Sequence, residues 1–196
     1  MSPWHALVVE GPAHAARGFV AGFVAAGGGK GGAIFGSDVD LEEQHESLGA
    51  RLRALFRAGT HEVLLVPAEL AAPLADGLRA NGEDAGLRLA GSHVVVRASV
   101  GFRVEVFSRE LAQEIRQDLL TVLPEGVRLE GLAEKEEIEP DARGPELYAP
   151  LHAYTFRASG RFAGTLPGVL EMHRRAQTRE FVTVGQVHLE EADDPA

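Results

Sequence analysis

Three stretches of this chain hold residue types that could do chemistry. The first is Glu146-Leu147-Tyr148-Ala149-Pro150-Leu151-His152-Ala153-Tyr154, where an extended strand would put Tyr148, His152 and Tyr154 on one side. An imidazole that ionises near neutral pH, set beside a phenol and a carboxylate, could relay protons. His152 with Tyr148 or Glu146 is therefore the candidate acid–base set, and Tyr154 a candidate ligand contact. The plainer reading makes His152 a hydrogen-bonded strand histidine. His173 falls at helical spacing with Val169, Met172 and Ala176, on the expected apolar stripe of the last helix, and could face the same strand. It lacks a companion at His-x-x-x-His spacing, so no metal site is expected.

The second stretch is Phe35-Gly36-Ser37-Asp38-Val39-Asp40. It is similar to nucleotidyltransferase signatures in joining a Gly-Ser pair to an Asp-x-Asp pair, but it departs from them because the two elements are fused rather than separated by a helical stretch. An acidic turn near a helix N-terminus is the simpler expectation. The third stretch, Gly27-Gly28-Gly29-Lys30-Gly31-Gly32, has the backbone N–H density of a phosphate cradle. It follows a helix and precedes a strand, the reverse of a phosphate loop, and Gly31 stands where a metal-binding hydroxyl would be needed. It reads as a helix cap with a connection.

Composition bounds the rest. The chain has 196 residues, 45% of them hydrophobic and 24% charged, the mix of a folded globular protein. No cysteine is present, which excludes disulfides, thiolate catalysis and Cys-ligated metal. The formal charge is −10 and no basic stripe breaks it, so nucleic acid is not an expected partner. The N-terminal apolar run lacks a basic leader and the apolar segment Phe19 to Ala26 is short for a bilayer, so a cytoplasmic protein without membrane association is expected. Only Lys30 and Lys135 among 19 basic residues are lysine, a bias that with abundant Ala and Gly points to a GC-rich bacterial genome.

The elements that must position these residues fall into two rhythms. His5 to Val9, Ala33 to Phe35 and Glu62 to Val66 read as apolar strands. Between and after them lie helices with stripes at Ala16, Phe19, Val20, Phe23 and Val24, at Leu48, Leu52 and Leu55 behind an N-cap Ser47, and at Leu70, Leu74 and Leu78. Such βαβαβα alternation predicts a small parallel sheet over residues 1–86. Ligands would then gather in the loops after the strands, at Gly11, Pro12 and His14, at Ser37 and Asp38, and at Pro67 and Glu69. Gly18 and Gly22 would permit close approach of a neighbour to the first helix.

After a boundary at Asn81 to Gly86 the pattern alternates. Val94, Val96, Ala98, Val100, Phe102, Val104 and Val106 are assigned to one face of a strand, and a helix capped by Ser108 follows. Then come Val127 to Leu132, an acidic segment from Glu134 to Glu146 read as a solvated loop or frayed edge extension, a strand at Leu151 to Phe162, a helix around Met172, and Phe181 to Leu189. This order over residues 87–189 predicts a ferredoxin-like βαββαβ half with an antiparallel sheet, leaving 190–196 as a disordered tail.

The fold class is thus α/β and α+β, a combination hosting many functions. With no complete catalytic set, a non-catalytic module binding a small ligand or a protein is the favoured reading, without a cofactor. An enzyme built on His152 and an architectural, self-associating protein are the alternatives. Edge strands allow for a homodimer.

Overall fold

The computed structural model describes residues 3–29, 31–44, 46–138 and 154–192. The protein is mixed α+β, and the described residues form five α-helices and seven strands paired antiparallel. Backbone contacts divide it into two compact units, Met1–Ala98 with Gln186–Ala196, and Ser99–Gly185. Two long strands, β4 (Arg88–Val106) and β7 (Val182–Glu191), contribute residues to both.

Unit 1 contains β1 (Trp4–Glu10), α1 (Ala13–Ala25), β2 (Ile34–Phe35), a 3-10 turn (Gly36–Asp38), α2 (Leu48–Arg57), β3 (His61–Pro67) and α3 (Ala68–Asn81) ahead of β4. The strand order is β2-β3-β1-β4. The parallel sheet expected for this half is not found: β3 runs antiparallel to β1 from Trp4 opposite Pro67 to Glu10 opposite His61, and antiparallel to β2 as well. Each of α1 and α3 still links two strands that run the same way, but a third, antiparallel strand lies between them. Sequence alternation alone does not register that insertion. The strands also imitate parallel ones because both of their faces are covered, which turns them into continuous apolar runs.

On one face Leu7, Val9, Leu64 and Val66 join Ala16 and Val20 of α1 and Leu70, Leu74 and Leu78 of α3 in the main core. On the other, Ala6, Val8, Val63 and Leu65 are equally buried, together with Leu48 and Leu52 of α2. A fully buried leucine such as Leu74 contributes about 2–3 kcal/mol by leaving water, and its truncation to alanine would cost more because a cavity remains. The expected cap forms, with Ser47 Oγ accepting from the Ala50 N–H at 3.2 Å. The glycine run does end α1: Gly27 takes a φ of +77°, and Gly28 and Gly77 leave room for the Phe23 ring, which a Cβ on either would meet at 2.6 Å. Gly18 and Gly22, by contrast, are exposed with nothing within 4 Å of a Cβ, so they mediate no close approach among the described residues.

Unit 2 contains the second half of β4, α4 (Arg109–Thr121), β5 (Val127–Ile138), β6 (Tyr154–Gly164), α5 (Leu166–Gln177) and the first residues of β7. β4 pairs with β6, β6 with β5, and β7 with β4. Ser108 caps α4, its Oγ accepting from the Leu111 N–H at 3.3 Å. Stacked Phe102 and Phe162, with ring centroids 4.4 Å apart, pack in a core with Leu119, Val169 and Met172. Part of the acidic segment is strand: Glu134 to Ile138 pair with residues 154–158 of β6, past a register shift between Glu130 and Ala133.

The inward phase of β4 differs from the expected one. Ala98, Val100, Phe102, Val104 and Val106 are buried as assigned, but ahead of them Val95 is buried and Val96 is 54% exposed. The buried parity changes between Val95 and Ala98, where the strand passes from unit 1 to unit 2. The uninterrupted run Val94-Val95-Val96 carries no polar residue to mark it. At its other end the chain stays paired through Glu191, beyond the expected stop at Leu189, and the Ala192 N–H donates to the Val94 carbonyl at 2.9 Å.

Candidate functional site

Antiparallel pairing decides which of the expected loops meet. Glu10 lies opposite His61 and Trp4 opposite Pro67, so the end of β1, the end of β2 and the start of β3 share one end of the unit 1 sheet, while Pro67 and Glu69 lie at the other. At the shared end α1 extends Arg17 to the turn after β2. Its Nη1 and Nη2 donate to the two Asp38 carboxylate oxygens at 3.0 and 2.8 Å, and Nη2 also donates to Ser37 Oγ at 2.9 Å. The guanidinium lies over the Phe35 ring, 4.1 Å from its centroid. Hydrogen bonding to Asp38 raises the Arg17 pKa above its ordinary value, against a smaller opposing effect of burial.

Beneath this surface pair is Glu62, whose side chain is wholly buried. Ser37 Oγ donates to its Oε2 at 2.8 Å, and the Val63 and Ser37 N–H groups donate to its Oε1 at 2.9 and 3.4 Å. Arg17 Nη2 is 3.9 Å from Oε2. A carboxylate removed from water needs such donors and a nearby countercharge. The network joins α1, the turn after β2 and β3, with each side chain already engaged by another.

Of the residues nominated from sequence, Ser37 and Asp38 come together here, with Arg17 and Glu62 as partners not foreseen. Glu62 was detectable: it has the same strand parity as Leu64 and Val66, and an acid in phase with a buried face calls for a partner. Its partner lies 45 residues earlier on another element, and no spacing rule connects the two. His14, exposed on the first turn of α1, takes no part in the network. His173 is not on the buried stripe of α5 with Val169, Met172 and Ala176; it is half-buried beside it, with Nε2 3.4 Å from Gln177 Nε2. The backbone of Tyr154 begins β6 opposite Ile138. Glu146, Tyr148 and His152 lie outside the described residues.

Unit 1 also carries an open groove of about 690 Å³, lined by Ser47, by Leu48 and Arg51 of α2, by Val96 of β4 and by His188 to Glu191 of β7. Around it, His93 Nδ1 is 2.7 Å from Glu191 Oε1, and Arg51 pairs with the other oxygen of the same carboxylate. His188 Nδ1 is 2.5 Å from Glu42 Oε2, and Arg97 is 3.8 Å from Glu190. The hydrogen bond from His93, followed by that from Arg51, holds the Glu191 carboxyl below the usual carboxylate range, despite partial burial. Among the described residues no three His, Cys, Asp or Glu side chains converge to hold a metal ion, and no helix is long and apolar enough to cross a membrane.

No family model matches the chain, and no curated protein matches it. Among solved structures, the chain is similar to one described as the crystal structure of an unknown protein from Galdieria sulphuraria, at 15% identity and a TM-score of 0.31, over 98% of this chain and 100% of that one. At that score the likeness carries no inference about fold or function.

Proposed function

We propose that the chain is a non-catalytic binding module, built from two ferredoxin-like βαββαβ units, that takes a small amphipathic ligand or a protein segment in the groove of unit 1. The strand order β2-β3-β1-β4, with α1 and α3 as the linking helices, supports that reading of unit 1, and the order β7-β4-β6-β5 supports it for unit 2. The observation that carries the function is Val96. It is an apolar side chain, 54% exposed in the middle of a strand, lining a groove whose volume lies in the range of ligand sites. Arg51, Glu46 and Glu190 place charge of both signs around it, fitting a ligand with an apolar body and polar ends. The Arg17–Ser37–Asp38–Glu62 network is the frame that holds unit 1 together, because its groups are occupied by one another. A cytoplasmic setting and a homodimer fit this reading, and nucleic acid does not: Arg51, Arg53, Arg57, Arg174 and Arg175 are each paired with a carboxylate.

The test is a thermal-shift screen with nucleotides, divalent metals, organic acids and short peptides, repeated on Val96→Asp and Arg51→Ala. A ligand at about 100 times its Kd adds about 2.7 kcal/mol to the native state. For a chain of this length that raises the Tm by about 5 °C or more. The reading expects such a shift from at least one class and its loss in both variants. No shift from any class, or a shift unchanged in both variants, would overturn it.

A further inference from the structure

The outer half of β7, Gln186–Glu191, belongs to unit 1, and polar ties hold it there. Backbone bonds link it to the connection ahead of α2: the Val187 N–H donates to the Asp40 carbonyl at 2.8 Å, and the Glu42 N–H to the Val187 carbonyl at 3.0 Å. Leu41, fully buried, forms a parallel bridge with Val187. Gln186 adds side-chain bonds to Asp40 and to the Glu43 N–H. Further ties are the Ala192 N–H to Val94 carbonyl bond, the pairs of Arg51 with Glu191 and Arg97 with Glu190, and two histidine–carboxylate pairs, His188 with Glu42 and His93 with Glu191.

The charges around each histidine set what its proton does. In the connection facing His188, Asp40 is paired with Arg53, and Glu43 with Arg53 and Arg57, all from α2. Glu42 is thus the carboxylate left for His188. Beside His93, Glu191 is shared with Arg51 of α2, while Glu190 is balanced by Arg97 of β4. Across the strand pair, β1 places Ala6 opposite His93 and brings no charge there.

We infer that the outer half of β7 is a pH-dependent clasp on unit 1, closed while His93 and His188 carry their protons and loosened when they lose them. Loss of those protons removes the cationic partner of Glu42 and one of the two cationic partners of Glu191, so the clasp weakens as pH rises. On the acid side, Glu191 is held below the usual carboxylate range, chiefly by His93. Its contribution is complete above that range and lost only as pH falls through the depressed value. The clasp is therefore tightest in mild acid. Because His188 and Glu191 also line the groove, opening changes that surface, but the clasp does not depend on what the groove binds.

Half-exposed ion pairs each contribute up to about fivefold, so the two together predict about a tenfold change in the opening equilibrium. The measurement is amide hydrogen exchange between pH 5.5 and 8, expressed as protection factors corrected for intrinsic rates. The reporters are the Glu42, Val187 and Ala192 amides. The reference is the Glu105 amide, which donates to the Phe181 carbonyl within unit 2. Reporter protection is expected to fall about tenfold with rising pH while Glu105 stays level, and to be flat in the doubly substituted His93→Gln, His188→Gln chain. A fall shared by Glu105, a fall the double variant keeps, or no fall at all would overturn the inference. The wild-type comparison of reporters with reference decides the matter even where the double variant does not fold.

Discussion

Replacing Arg17 with methionine tests the buried carboxylate most directly. Methionine keeps an unbranched apolar stem to lie on Phe35 while removing the cation. The charge it removes is 3.9 Å from Glu62 Oε2. At an effective dielectric of about 20, the Coulomb term at that separation is about 4 kcal/mol. The Arg17 side chain is 38% exposed, and solvent screening reduces this to about 2 kcal/mol. Losing the hydrogen bond to Ser37 Oγ costs about 1 kcal/mol more. Asp38, 58% exposed, was held by a surface pair and adds under about 1 kcal/mol. Arg17→Met should therefore destabilise the chain by about 3 kcal/mol in urea unfolding at neutral pH. The same substitution in a Glu62→Gln background should cost about 2 kcal/mol less, since glutamine carries no charge to orphan. A loss under about 0.5 kcal/mol, or additive effects in the two backgrounds, would show that Arg17 does not balance Glu62 and that the backbone donors alone suffice.

Two further substitutions probe the backbone and the core. Ser99 is 1% exposed on β4 and its Oγ finds no hydrogen-bond partner among the described residues, so Ser99→Ala should leave the urea midpoint unchanged or raise it, by up to about 1 kcal/mol of stability. Phe181 holds a φ of +63° with its side chain 56% exposed; Phe181→Gly should relieve about 1 kcal/mol of backbone strain at little cost in burial, seen as an unchanged or higher Tm.

What could be read from sequence was whatever a local pattern fixes. The stripes at Leu70, Leu74 and Leu78 and the caps at Ser47 and Ser108 follow from contacts within three or four residues, and they form as expected. Strand direction in the first half did not follow, because β3 entering between β2 and β1 is a long-range choice that apolar runs buried on both faces do not record. The phase of β4 was lost for a related reason at Val94-Val95-Val96, where every residue is a valine. Of the candidate site, Ser37 and Asp38 were reachable from their position after a strand. Glu62 was reachable through its parity with Leu64 and Val66, but Arg17 was not, since their proximity arises only once α1 and the turn after β2 are brought to the same end of the sheet.

The change of parity along β4 also fixes how the strand can vary. Replacing one of these valines with isoleucine or alanine would alter volume and little else. Removing or adding a single residue between Val95 and Ala98 would rotate everything downstream by half a pleat, turning Phe102 and Val104 toward water and Arg103 and Glu105 inward. This strand should therefore tolerate change in composition far better than change in length, and a library of single-residue deletions across it should show the steepest loss of folded protein there.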